Sequence, residues 1–125
     1  MFRNILSVSL ILIVAMSMFW GCGDPKQTEK ELFEIAEKAQ QANNPLEAIK
    51  AYRTLIENYP SSENCPKAQF MIGFVYAEQY HDTVKALEAF DKFAKDYPNN
   101  ELAPSADFMA KSLRGEVQDP LTTDK

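Results

Sequence analysis

The chain has 125 residues, room for one domain once a targeting segment is set aside. Its content of 46% apolar and 25% charged residues is that of an ordinary globular chain. Thirteen basic against eighteen acidic side chains give a net charge of −5, and no basic stripe with interleaved aromatics occurs, which argues against nucleic acid as a partner.

Met1-Phe2-Arg3-Asn4 precedes a non-ionic run from Ile5 to Trp20, and Arg3 is the only charge before Asp24. A basic start followed by an apolar stretch is the pattern of a secretory signal. The run of sixteen residues would reach about 24 Å as a helix, short of the roughly 30 Å hydrocarbon core. Phe19-Trp20-Gly21-Cys22 then resembles a bacterial lipobox, which implies a signal peptide over residues 1–21 and lipid on Cys22. An uncleaved N-terminal anchor is the other reading of the same run, and both hold an exported domain at a membrane. In lipoprotein sorting of enteric bacteria an Asp directly after the cysteine retains the protein at the inner membrane. Here Gly23 follows and Asp24 comes one place late, so the resemblance implies the periplasmic face of the outer membrane.

Residues 22–28 read as a lipidated tether. Thr28 and Glu31 form a capping box, and Leu32, Ile35, Ala36 and Ala39 follow at helical spacing, which predicts a first helix over 29–41. Asn44-Pro45-Leu46-Glu47 starts a second, with Leu46, Ile49, Tyr52, Leu55 and Ile56 as its apolar stripe and a stop near Asn58 ahead of Pro60. Pro66 opens a third helix carrying Ala68, Ile72, Val75 and Tyr76. Gly73 inside it costs about 1 kcal/mol against Ala, and close approach of a neighbouring helix would explain it. Asp82 caps a fourth helix with Val84, Leu87, Phe90 and Phe93, and with Ala86 and Ala94 as small contacts. The fifth runs from Pro104 to about Arg114, stopped by Gly115, and residues 115–125 read as a flexible tail.

Two thirteen-residue stretches relate these elements. Tyr59-Pro60-Ser61-Ser62-Glu63-Asn64-Cys65-Pro66-Lys67-Ala68-Gln69-Phe70-Met71 recurs 38 residues on, from Tyr97 to Met109, with Tyr, Pro, Glu, Pro, Ala, Phe and Met in register. A period in that range marks a repeat array. The helix pairs resemble tetratricopeptide repeats: Ala48, Tyr52 and Pro60 in the first, and Ile72-Gly73, Tyr76, Ala86, Phe90 and Pro98 in the second, which has one extra residue in its turn. The first has Ala36 and Ala39 where the family has glycine and an aromatic. The resemblance implies an all-α short solenoid of five helices, about two and a half repeats over residues 29–114, with the last helix as a cap.

With the lipobox, the junction pattern is similar to periplasmic repeat lipoproteins. The nearest are that of the outer-membrane β-barrel assembly machine and the Tol–Pal-associated repeat protein. The resemblance implies an interaction scaffold in outer-membrane protein assembly, with other envelope proteins as partners; Tol–Pal-linked coordination of envelope constriction is the alternative. A third reading is an accessory subunit that tethers an envelope enzyme.

No catalytic set is visible. His81 is the only histidine and falls in a polar turn, no His/Cys metal spacing occurs, and no Gly-rich phosphate loop exists, so neither enzyme activity nor a cofactor is expected. Cys65 precedes Pro66 at a helix start, where a lowered pKa is conceivable. Its repeat counterpart Ala103 favours a structural role. Binding is the remaining option. Phe70, Phe74 and Ala77 form a stripe on the third helix, with Phe33 and Phe108 at corresponding places on the first and fifth. First helices line the concave face of such solenoids. These rings, with Glu37, Gln40 and Lys67 at the rim, are the candidate partner groove; packing of helix on helix is the competing account. Phe108, Met109 and Leu113 lack a following helix, so the tail, a twin subunit or a larger complex is expected to cover them.

Overall fold

The computed structural model describes residues 26–117. The signal peptide, Cys22 and the end of the tail lie outside the described residues. Five helices follow in order: α1 (Glu29–Gln41), α2 (Pro45–Asn58), α3 (Cys65–Glu78), α4 (Thr83–Asp96) and α5 (Ala103–Leu113). Connections of three to six residues make each helix antiparallel to the next, and each packs chiefly on its sequence neighbours. The fold is the expected all-α, short tetratricopeptide-like solenoid. It has two ends: the N-terminal segment and the α2–α3 and α4–α5 junctions lie at one, and the α1–α2 and α3–α4 turns at the other.

The local signals explain the boundaries. Thr28 accepts from the Glu31 N–H while the Glu31 carboxylate accepts from the Thr28 N–H at 2.7 Å, which closes the capping box. Asn44 and Asp82 cap α2 and α4 through their side chains. Ser62 and Asn100, the variable polar position of the junction motif, do the same job 38 residues apart. Each side-chain oxygen accepts the N–H two residues on, at 2.9 Å from Asn64 and 3.0 Å from Leu102. Pro66 and Pro104 sit in the first turns of α3 and α5, where no N–H is missed.

The extra residue of the second repeat is absorbed at the end of α3. In the first repeat Asn43 and Asn44 donate back to Gln40 and Ala39, a Schellman cap with Asn43 at φ 53°. In the second, Tyr80 reaches Val75 and Asp82 reaches Tyr76, one residue wider, with His81 at φ 54°. Gly115, at φ 73°, closes α5 with the tight form, its N–H reaching Ser112 and that of Glu116 reaching Lys111.

The core is a continuous ribbon of small and aromatic groups. Ala36, Ala48, Ala68, Ala86 and Ala106 are fully buried and let backbones approach, while Tyr52, Leu55, Phe90 and Phe93 fill the space between. The central helix α3 is covered by α2 and α4 and is therefore apolar on several sides, from Cys65 to Tyr76. Gly73 does what its position implies. A Cβ there would meet the Phe90 ring at 2.8–2.9 Å.

Two stripe residues stand outside the core. Leu46 and Val84 are 64% and 66% exposed. Each lies two residues before a buried alanine, Ala48 or Ala86, and two residues turn a helix by about 200°, placing them on the opposite side. Ala94 is exposed as well, and the buried small contacts on α4 are Ala86 and Ala89.

A latch recurs between each second helix and the next first helix. The Arg53 guanidinium donates to the Tyr76 hydroxyl at 3.1 Å, and at the positions 38 residues on Arg114 donates to Asp91 at 2.6 Å. The fifth helix, the last among the described residues, changes chemistry on its outer face. Where α3 has Gln69 and Gly73 against α4, α5 has Asp107 and Lys111, ion-paired at 2.7 Å in solvent. A polar outer face is what a terminal repeat needs.

Candidate functional site

The stripe of first-helix residues divides into three groups. Phe33, Glu37 and Lys67 come together across α1 and α3. Phe33 is half-buried, edge-on to Tyr52 at 5.6 Å between ring centroids, and the Lys67 ammonium stands 4.4 Å above its centroid. The same ammonium lies 4.0 Å from the Glu37 carboxylate. One cation thus meets a ring face and a carboxylate on the neighbouring helix, in an arrangement open to solvent.

Gln40 and Phe70 are committed inward. The Gln40 side chain accepts from the Tyr52 hydroxyl at 2.7 Å, and its carbonyl accepts from Gln79 Nε2 at 3.0 Å. Phe70 is half-buried and edge-on to Phe90 and Phe93, with centroids at 5.5 and 6.0 Å. Its packing matches that of Phe33 on Tyr52 one repeat earlier.

Phe74 and Phe108 remain outward, 37% and 56% exposed, while Ala77 is half-buried against the core. Phe108 is the counterpart of Phe70, and among the described residues no helix packs over it as α4 packs over Phe70. Met109 and Leu113 are half-buried against the core.

A second concavity was not legible in the residue pattern. Between α2, α3 and α4 lies an open cleft of about 520 Å³ with Ile56, Gln69, Ile72 and Ala89 among its lining and Arg53, Lys85 and Lys92 among its charges. None of the stripe residues lines it. Gln69 is buried, its amide donating to the Ala89 carbonyl at 3.3 Å. A glutamine within the apolar run of α3 was the available signal. The cations are largely engaged: Lys85 pairs with Asp82 at 2.9 Å and lies over the Tyr76 and Tyr80 rings, and Lys92 pairs with Asp96.

The titrating groups have structural explanations. Burial pushes the Cys65 thiol up, and its sulfur donates to the Tyr59 carbonyl at 3.1 Å, the environment of an inert cysteine. Tyr52 is pushed up to about 12, first by burial and then by the charge of Glu37. His81 is exposed in its turn. Among the described residues no three His, Cys, Asp or Glu side chains gather as a metal site, and no helix is long and apolar enough to cross a membrane. The geometry offers surfaces for contact.

No curated protein matches the chain. A family model, YfiO, described as an outer membrane lipoprotein, matches residues 25–120, which takes in all five helices. The chain therefore belongs to the YfiO family of outer membrane lipoproteins.

Proposed function

We propose that this protein is a lipid-anchored interaction scaffold on the periplasmic face of the outer membrane, acting in outer-membrane protein assembly and catalysing no reaction itself. Family membership supports the location, and Gly21-Cys22 supports a lipid on Cys22 after removal of residues 1–21. The observation that supports the binding role is the exposure of Phe74 on α3, with Phe108 on the uncovered side of α5 as a second apolar group, in a chain that buries Tyr52, Phe90 and Phe93. Exposed rings cost solvation unless a partner covers them part of the time. Two turns before Phe74 on the same side of α3, Lys67 pairs with Glu37 of α1 and supplies a polar rim. A peptide segment of another envelope protein, from the β-barrel assembly core, is the occupant this surface fits.

The test is co-purification from the native cell with Phe74→Ser and Phe108→Ser variants. Phe108 is mostly exposed and Phe74 only about one-third, so the melting temperature of each variant is read alongside to separate lost binding from lost stability. The reading expects the variants to lose barrel-assembly components. Unchanged recovery of those components, or recovery of Tol–Pal proteins or a cell-wall hydrolase instead, would contradict it.

A further inference from the structure

Lys26 and Gln27, the described residues that lead into α1, are tied to the fold. The Tyr59 hydroxyl donates to the Gln27 carbonyl at 2.8 Å. The Lys26 ammonium lies 5.2 Å from the Tyr59 ring centroid and 3.5 Å from the Asn58 carbonyl. Two residues further on, the Glu29 carboxylate accepts from the Ser62 hydroxyl at 2.6 Å and from the Asn64 amide. These two bonds hold Glu29 below the usual carboxylate range. The entry of the chain is thus clasped to the α2–α3 junction, more than thirty residues away in sequence.

The clasp fixes where the chain leaves the domain. Lys26 stands four residues after Cys22, and four extended residues reach at most about 14 Å. The α4–α5 junction lies at the same end of the solenoid. The turns at the opposite end are a helix length away, about 20 Å for fourteen residues.

We infer that the junction end, with Lys26, Tyr59 and Ser61, is the surface that faces the lipid headgroups, and that the turn end points away from the membrane. The inference rests on the lipid-anchored reading above and adds an orientation to it. Lys26, turned onto the Tyr59 ring and the Asn58 carbonyl, fixes the point at which the tether leaves the domain, and the acyl chain supplies the anchor. The turn end then carries exposed Leu46, Tyr80 and Val84 into the periplasmic space.

The test uses the full, acylated chain in vesicles of phosphatidylethanolamine and phosphatidylglycerol. A fluorophore is attached at Ser61→Cys or at Gln41→Cys, and the vesicles carry a nitroxide on the headgroup. Cys65 is buried and stays unlabelled in the folded protein. Across a separation of one helix length, quenching at Ser61→Cys is expected to exceed that at Gln41→Cys at least about threefold. In Tyr59→Phe/Glu29→Ala protein, which loses the hydroxyl and carboxylate bonds of the clasp, the ratio is expected to fall toward one. Equal quenching in the parent, as from a domain lying flat, or the inverse ratio would overturn the orientation. A ratio unchanged in the clasp variant would overturn the clasp as its cause. The mass of the N-terminal peptide separates the two levels: a chain with no acyl group on Cys22 fails the anchored reading itself, and an acylated chain with equal quenching fails only the orientation.

Discussion

Gly73→Ala is the substitution for which the structure gives the most direct magnitude. The added methyl would stand 2.8–2.9 Å from three atoms of the Phe90 ring, inside any normal contact distance. The ring cannot retreat easily, because Phe90 is 1% exposed and packs edge-on against Phe70. Overpacking of this kind costs about 1–3 kcal/mol, while replacing glycine by alanine within a helix returns about 1 kcal/mol. The difference is a net loss of about 0–2 kcal/mol, placed in the upper half of that range because the ring cannot retreat, which is a fall in melting temperature of up to about 16 °C for a domain of this size. Trimming the ring tests the cause: Phe90→Leu in the Gly73→Ala background should cost less than the sum of the two single changes. Thermal and urea unfolding of the four proteins reads both quantities. A Gly73→Ala protein as stable as the parent, or more so, would refute the claim that close helix approach requires glycine here.

The Tyr52–Gln40 bond should behave asymmetrically. Tyr52 is fully buried and Gln40 only partly, so Gln40→Ala strands a buried hydroxyl at about 1–3 kcal/mol, whereas Tyr52→Phe leaves an amide that water can reach, at about 1 kcal/mol or less. The double variant reproduces the Phe90 and Ala77 pair of the second repeat and should recover much of the larger loss; additive losses in a double-mutant cycle would exclude the coupling. Glu29, Glu31 and Asp82 all have folded pKa values below their ordinary ones, through hydrogen bonds to Ser62, to the Thr28 N–H and to the Lys85 N–H respectively. The folded state therefore binds protons more weakly than the unfolded one, so this stability is present above pH 4.5 and drains as pH falls through the lowered values. Melting temperature should decline below that point, and Glu29→Gln should flatten the decline; an unaltered slope in that variant would count against the clasp as a contributor. Cys65→Ala should cost only about 1 kcal/mol, since one buried sulfur is lost at a place where the next repeat has Ala103. A loss of several kcal/mol on denaturant unfolding would show that the thiol does more than fill space.

Much of the fold was legible because the repeat signals itself twice. Caps, prolines and the Ser62/Asn100 turn position are chemical requirements of the backbone, and they fix boundaries without knowledge of the neighbours. The extra residue near Tyr80 was readable as a length, though only the structure shows the widened α3 terminus that takes it up. Side-chain environment was less accessible. Phe70 and Phe108 occupy the same motif position, yet one is packed under α4 and the other is exposed, because a ring's burial depends on the neighbouring helix and not on its own motif. Leu46 and Val84 fit an apolar period by spacing, but they lie opposite the small residues that set the contact face. Gln69 shows the converse: a polar residue enters the core because a carbonyl on α4 meets its amide. The cleft between α2, α3 and α4 joins side chains from three elements, and no single-helix periodicity encodes it.

The central claim is that the first-helix face receives an envelope partner. A photoreactive residue in place of Phe74, activated in the native cell, tests it most directly, because Phe74 is exposed on that face and is free of the aromatic packing that holds Phe70. The account predicts a single dominant adduct containing a component of the β-barrel assembly core, absent when the photoreactive residue replaces exposed Leu46 instead. Absence of any adduct at Phe74, or the same adduct from both positions, would contradict it.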